Sequence, residues 1–174
     1  MGGSQMTKLI GQTTYFDHFA NQEEQFNVIE TVEKVTINGV TFLAHHRNWL
    51  PVVIDLNEVD EYLEPLDNPD YNTQIDFQLF REICGFLTAA EVKANRIELG
   101  LSLRQTAALL SMGYGTLSAI ENNQILQSYD QELKLRLMEN YETVQAVFHQ
   151  HRRLIEQKLK HQHGEFERLA QKLS

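Results

Sequence analysis

The chain has 174 residues and a net charge of −9, and 42% of its residues are hydrophobic. This composition supports a packed core and excludes wholesale disorder, while no apolar run approaches the roughly 20 residues of a membrane-spanning helix. Cys84 is the only cysteine, which excludes an internal disulfide and a cysteine-rich zinc site. We therefore expect a cytoplasmic protein that has no metal, cofactor or membrane contact.

Charge is divided unevenly along the chain. Residues 1–86 contain 4 basic and 14 acidic side chains, whereas residues 87–140 contain 5 and 6, and residues 141–174 contain 6 and 4. An acidic first half suits a basic protein partner and repels nucleic acid. The nearly neutral middle section is unfavourable for a DNA-binding domain, because the affinity of such domains depends on contacts with phosphates.

The first half of the chain predicts a small β-domain, and residues 1–25 are expected to be a tag remnant and a flexible lead-in. Apolar and polar residues alternate on both sides of Asn38 and Gly39. Because Asn-Gly tolerates the positive φ angles of a type I′ turn, this pattern predicts a β-hairpin. A candidate third strand follows at Val52–Ile54. The hairpin and the linker after it define an acidic domain over residues 26–72.

Two groups of residues are of types that can bind metal ions, but neither group is expected to form a metal site. The acidic residues between positions 55 and 70 lack the glycine and the terminal bidentate glutamate of a calcium loop, so they favour a solvated linker. His149 and His151 are two residues apart on an expected helix, as are His161 and His163. Side chains at such positions point about 200° apart and cannot chelate one ion.

Three helices of the second half begin with the same signal. Thr88, Ser102 and Ser128 are each followed three residues later by Glu or Gln, which is the pattern of a capping box. Gly100 suits the left-handed residue that ends the first of these helices. Together these signals predict an all-α domain over residues 73–140.

The helix that begins after Ser102 and the helix after it form a pair. The small residue Ala107 at the centre of the first permits close approach by a neighbour, and a tight glycine-containing turn follows. In the second helix, Leu117 and Ile120 turn to the core and the opposite face is left free. Two such helices are typical of a helix-turn-helix, although any small bundle of capped helices has similar spacings.

The stretch from Leu87 to about Asn140 resembles the lambda-repressor-like helix-turn-helix of MqsA-type antitoxins and their mobile-element relatives. The matching positions are Gly100-Leu101-Ser102, Ala107, Leu109-Leu110, Thr116-Leu117-Ser118 and Ile120-Glu121-Asn122. The resemblance implies an N-terminal zinc-binding β-domain built around a hairpin, followed by an acidic linker and a helix. Residues 26–86 have that outline, but the zinc cysteines are missing.

Three positions depart from the residues that the family has on its DNA-binding face. Leu103 stands where a phosphate-contacting Gln is common, Gly115 where a base-reading Asn is common, and Ala119 where Arg or Lys is common. By resemblance, the candidate DNA-binding residues are Arg104, Gln105, Tyr114, Gly115, Thr116, Ser118, Ala119 and Asn122. Only Arg104 is charged among them, so we expect any operator binding to be weak.

Residues 141–174 predict a long amphipathic C-terminal helix. Its apolar residues recur on one face, and such a stripe is a core or dimer surface more often than a ligand groove. Because repressors of this type bind two half-sites as dimers, we expect a homodimer. Its dimer or partner interface is expected at Phe148, Ile155 and Leu159.

The sequence thus predicts an α+β fold: a small N-terminal β-hairpin domain, an all-α lambda-repressor-like helix-turn-helix domain and a long C-terminal helix. The leading hypothesis is an antitoxin that neutralises a basic protein toxin and represses its own operon. The alternative is a protein-binding antitoxin or inhibitor whose helix-turn-helix no longer binds DNA. No nucleophile elbow, phosphate loop or paired-carboxylate pattern points to an enzyme.

Overall fold

The structure is a computed structural model that describes residues 7–19, 21–54 and 62–174. The chain divides into two units, residues 1–80 and residues 81–174. Among the described residues, three strands precede seven α-helices. Their bounds are β1 (Lys8–Asp17), β2 (Gln22–Ile37), β3 (Val40–Pro51), α1 (Tyr71–Cys84), α2 (Ala89–Glu98), α3 (Leu103–Leu109), α4 (Tyr114–Glu121), α5 (Tyr129–Arg136), α6 (Tyr141–Leu159) and α7 (Glu165–Lys172). No helix within these described ranges combines the length and the apolar character needed to cross a membrane.

The first unit contains an antiparallel sheet in the order β1-β2-β3, so the prediction of a hairpin domain is wrong. The additional strand, β1, lies within the stretch that was expected to be a flexible lead-in. It pairs with the first half of β2 from Lys8 to Asp17, and the ring of Tyr15 lies 6.1 Å from that of Trp49. Most of β1 is exposed, which explains why it lacks the apolar alternation that marks a half-buried strand.

The turn between β2 and β3 is confirmed at the predicted pair of residues. Asn38 and Gly39 have φ angles of 48° and 82°, and the flanking residues Ile37 and Val40 pair directly. The third strand predicted at Val52–Ile54 is absent. The chain turns after Pro51, whose carbonyl accepts a hydrogen bond of 3.0 Å from the amide of Ile54, and these β-branched residues are exposed.

The outer edge of β3 is covered by groups from outside the sheet. The side-chain amide of Asn72, in α1, accepts from the amide of Arg47 at 2.7 Å and donates to its carbonyl at 2.8 Å. Two residues along, Trp49 pairs in the same way with the backbone of Leu63. These contacts satisfy backbone groups that would otherwise template pairing with another chain.

In the second unit, α2 to α5 enclose a first core. All three capping boxes are confirmed, with the side chains of Thr88, Ser102 and Ser128 each accepting from the amide three residues on. Gly100 has a φ of 65°, as its predicted place after α2 requires. The buried apolar residues of this core are Leu87, Val92, Ala107, Leu110, Leu117, Ile120, Leu135 and Met138.

Residues 141–174, the tail of the chain, do not form one long helix, and this part of the predicted fold is also wrong. The backbone leaves helical geometry at His151, where φ is −111° and ψ is 19°, and a new helix, α7, starts after Gly164, which has a φ of 74°. Both α6 and α7 fold back onto α3. A second core results, composed of Leu101, Ala108, Val144, Phe148, Ile155, Leu159, Leu169 and Leu173.

The residues expected to form a dimer or partner interface therefore lie inside the chain's own core. Phe148 is 0% exposed, and Ile155 and Leu159 are each 2% exposed. The physical reason is that α3 has a second apolar face, carrying Ala108 and Leu109, which the tail covers together with Leu101 just before the helix. An amphipathic stripe alone does not distinguish a partner in another chain from a partner in the same chain.

We predict that Phe148→Ala lowers the free energy of unfolding by about 3–5 kcal/mol, because it removes a fully buried aromatic ring and leaves a cavity. Leu154→Ala, on the exposed side of the same helix, should change it by less than about 0.5 kcal/mol. Chemical denaturation followed by circular dichroism measures both values. If the two variants were equally stable and Phe148→Ala changed a dimer into a monomer by light scattering, the result would instead support a dimer interface at Phe148.

Candidate nucleic-acid interface

The two helices that the sequence predicts to form the helix-turn-helix, α3 and α4, are joined by the four-residue turn 110–113. Ser111 occupies a left-handed conformation in this turn, with a φ of 52°. Leu117 and Ile120 of α4 are completely buried, as the three-residue step between them predicts. This burial fixes which face of α4 remains outside.

A largely buried ion pair holds the end of α4 against α2. The guanidinium Nε and Nη2 of Arg96 each donate to one carboxylate oxygen of Glu121 at 2.7 Å, and Nη1 donates to the carbonyl of Leu101 at 3.0 Å. The hydrogen bonds to Glu121 raise the pKa of Arg96 above its ordinary value, against the opposing effect of burial. Sequence reasoning noted Glu121 in the family pattern but missed this role, because its partner lies 25 residues earlier.

A second buried arginine fixes the loop that follows α4. Arg81 donates from Nε to the side chain of Gln127 at 2.8 Å and from Nη2 to the carbonyl of Ile125 at 2.9 Å. Gln127 in turn donates to the carbonyl of Leu87 at 2.7 Å. Burial lowers the pKa of Arg81, which the negative charge of Glu132 partly offsets. These contacts with the buried side chains of Arg81 and Gln127 hold the loop in one conformation.

The outward face of α4 carries most of the candidate DNA-binding residues. Tyr114, Gly115 and Asn122 are exposed, and three others, Thr116, Ser118 and Ala119, are half-buried. The side chain of Asn122 donates back to the carbonyl of Ser118 at 2.8 Å. Reading a base through Asn122 therefore requires this amide to leave its own helix.

Of the two candidates on α3, only Arg104 is available. Its guanidinium carbon lies 5.6 Å from the centre of the Tyr114 ring, which brings two predicted residues together. Gln105 is buried; its side chain accepts from the amide of Ser102 at 2.9 Å and donates to the carbonyl of Glu165 at 3.0 Å. These bonds engage the Gln105 amide in capping α3 and docking α7, so it is not a surface residue.

The tail changes the charge beside α3 in two opposite ways. Lys158 of α6 donates to the side chain of Ser111 at 2.9 Å, which adds a cation that sequence reasoning had not assigned. Glu165 of α7 accepts from the hydroxyl of Ser102 at 2.9 Å. Burial favours a raised pKa for Glu165, but hydrogen bonds from Arg168 and Ser102 outweigh it, so the pKa is lowered and the group stays charged.

The acidic first unit presents carboxylates at the end of the sheet where β1 meets β2. Glu23 is exposed and Glu24 is half-buried. Of the acidic linker, the residues from Asp55 to Glu61 lie outside the described residues, and Glu64 accepts from Asn72 at 2.8 Å. Within the described part of the chain, no group of three or more His, Cys, Asp or Glu residues is arranged to hold a metal ion.

Comparisons with protein-family models, with curated proteins and with solved structures give no match for this chain. Two surfaces of the described residues carry groups suited to binding. One is the acidic end of the sheet at Glu23 and Glu24. The other is the α3–α4 face, formed by Arg104, Tyr114, Thr116, Ser118 and Asn122.

We predict that Glu121→Gln lowers the free energy of unfolding by about 3–5 kcal/mol, because it leaves the largely buried guanidinium of Arg96 without a negative partner. The control is Asp130→Asn, which breaks an exposed pair of 2.8 Å with Lys134 and should cost less than about 1 kcal/mol. Thermal and denaturant unfolding compare the two variants. Equal losses would show that the Arg96–Glu121 pair does not hold α4.

Proposed function

We propose that this chain is the antitoxin of a toxin–antitoxin pair, which neutralises a protein toxin and represses its own operon through α3 and α4. One observation carries the DNA-binding half of this proposal. Leu117, Ile120 and Glu121 anchor one face of α4, and its opposite face is open and carries side chains that can form hydrogen bonds. A helix held in this way fits the major groove of DNA.

Base reading in this proposal depends on polar, uncharged side chains. Thr116, Ser118 and Asn122 lie along the open face of α4, and an Asn that pairs with adenine discriminates between bases by about 1–3 kcal/mol. Arg104 supplies the positive charge at the start of this surface. We expect weak binding with a shallow salt dependence, since few phosphates are neutralised.

The toxin-binding half of the proposal depends on charge. Residues 1–86 contain 14 acidic and 4 basic side chains, and Glu23 is exposed at the end of the β1–β2 ladder. A strongly negative surface steers a basic protein partner and repels nucleic acid. The two units thus suit two different partners, and the proposal assigns no catalysis to either.

A second candidate function is a protein-binding antitoxin or inhibitor whose α3–α4 region has no affinity for DNA. A specific observation favours it: the carboxylate of Glu165 is hydrogen-bonded to Ser102 at 2.9 Å, immediately before α3. A fixed negative charge there repels a DNA phosphate. Leu103, Gly115 and Ala119 add no positive charge to compensate.

The homodimer remains part of the first proposal, because repressors of this class bind two half-sites. Its interface has to differ from the one expected from the sequence, since Phe148, Ile155 and Leu159 are buried.

A mobility shift on the DNA upstream of the gene, across a salt series, tests the DNA-binding half. We expect specific binding by the wild type, with a slope of log K against log salt no steeper than about −6 per dimer. Asn122→Ala and Thr116→Ala should each lose specificity, whereas Gln124→Ala, an exposed residue just beyond α4, should not. If the wild type fails to bind and Ala119→Arg gains only sequence-independent affinity, the second candidate replaces the first.

The toxin-binding half is tested with the product of the adjacent gene. We expect the double variant Glu23→Lys, Glu24→Lys to associate with it several-fold more slowly at low salt, because the steering charge is reversed. The double variant Glu98→Lys, Glu156→Lys, at two exposed positions of the second unit, is the matched control with the same change in net charge. Surface plasmon resonance at two salt concentrations measures the rates. Unchanged rates in the double variant would contradict a role for this acidic surface.

A further inference from the structure

A pocket of about 150 Å³ opens between α3, the start of α4 and the end of α6. Its polar lining consists of Arg104, Tyr114, Lys158 and Gln162. The volume corresponds to about five water molecules, which is room for one tetrahedral anion and its bound water. The pocket belongs to the second unit and adjoins the open face of α4.

The two cations of this pocket are not neutralised by ion pairs. Among the described residues, the lysines and arginines that pair with carboxylates are Arg96, Lys134, Arg136 and Arg168. Arg104 lies over the ring of Tyr114, and Lys158 donates to the neutral hydroxyl of Ser111. Glu165 attracts Arg104 electrostatically, but it forms no ion pair with Arg104 and its carboxylate is hydrogen-bonded to Arg168 and Ser102. Two positive charges therefore converge on one small pocket.

The backbone beside the pocket has the same preference for an anion. Tyr114 lines the pocket and is the first residue of α4, and Gly113 before it provides no side chain to cap the helix. The unsatisfied amides and the dipole of a helix N-terminus attract negative charge. In addition, the side-chain oxygen of Gln162 is buried and has no hydrogen-bond partner among the described residues. A water molecule bound to an anion can supply the missing donor.

We propose that this pocket binds one phosphate group. The proposal rests on the proposed function for the source of that phosphate, which is the DNA backbone beside the groove that α4 enters. Arg104 and Lys158 then clamp one phosphate from two helices, and the tail contributes to the DNA-binding surface. The pocket also supplies the phosphate contact that Leu103 cannot make and the positive charge that Ala119 lacks.

The first test uses the full chain labelled with ¹⁵N and titrated with inorganic phosphate at constant ionic strength, with chloride as the reference. We expect saturable shifts of the amides of Ser111, Tyr114 and Gly115. Lys158→Gln and Arg104→Gln should each weaken binding at least about tenfold, the effect of one lost charge-assisted hydrogen bond. Lys93→Gln, which removes an exposed charge on α2, should leave binding unchanged.

The second test measures the salt dependence of DNA binding by the same variants. Lys158→Gln and Arg104→Gln should each make the slope of log K against log salt shallower by about 0.9 per protomer, equally on specific and non-specific duplexes. Saturable phosphate binding without binding to any duplex would support the pocket and contradict the DNA-binding half of the proposed function. DNA binding with unchanged slopes, and no saturable response to phosphate, would overturn the pocket while the proposed function stands.

Discussion

Arg96 and Glu121 join α2 to the end of α4 through two hydrogen bonds of 2.7 Å, and the α3–α4 face depends on this pair. A helix of eight residues is too short to be stable alone, so its position is set by what it packs against. Leu117 and Ile120 fix its rotation, and the ion pair fixes its C-terminal end. Since a buried ion pair is costly unless its geometry is good, this pair favours one placement of α4 over neighbouring ones.

The tail decides what else the α3–α4 face can do. By folding onto α3, α6 and α7 bury the apolar stripe that a dimer would otherwise use. The backbone of α7 accepts a hydrogen bond from Gln105. The two helices also place two opposite charges, Lys158 and Glu165, beside the two ends of α3. Affinity for a phosphate backbone depends on the balance between these charges.

Local signals in the sequence predicted the local structure well. The capping boxes at Thr88, Ser102 and Ser128 depend on residues three apart, and the Asn38-Gly39 turn depends on two neighbouring residues. In such patterns the few neighbouring residues themselves determine the backbone geometry. The inward face of α4 was predictable for the same reason, because helical periodicity fixes which residues share a side.

Features that depend on distant partners were not predictable. The mostly exposed strand β1 has no apolar alternation, and the apolar run Val52–Ile54 turns away after Pro51. Gln105 is buried rather than exposed because its side chain donates to the carbonyl of Glu165 in α7, which lies 60 residues later in the chain. The phosphate pocket joins α3 to α6 and could not be inferred from the spacing within either helix.

The central claim is that the open face of α4 and the adjoining pocket form the DNA-binding surface. Chemical-shift mapping of the ¹⁵N-labelled chain with a duplex from its own upstream region tests this claim most directly. The account predicts that the largest shifts cluster at the amides of Ser111, Tyr114, Ser118 and Asn122, with smaller shifts near Lys158. Shifts confined to β1, β2 and β3, or their absence at all of these positions with the duplex in excess, would contradict it.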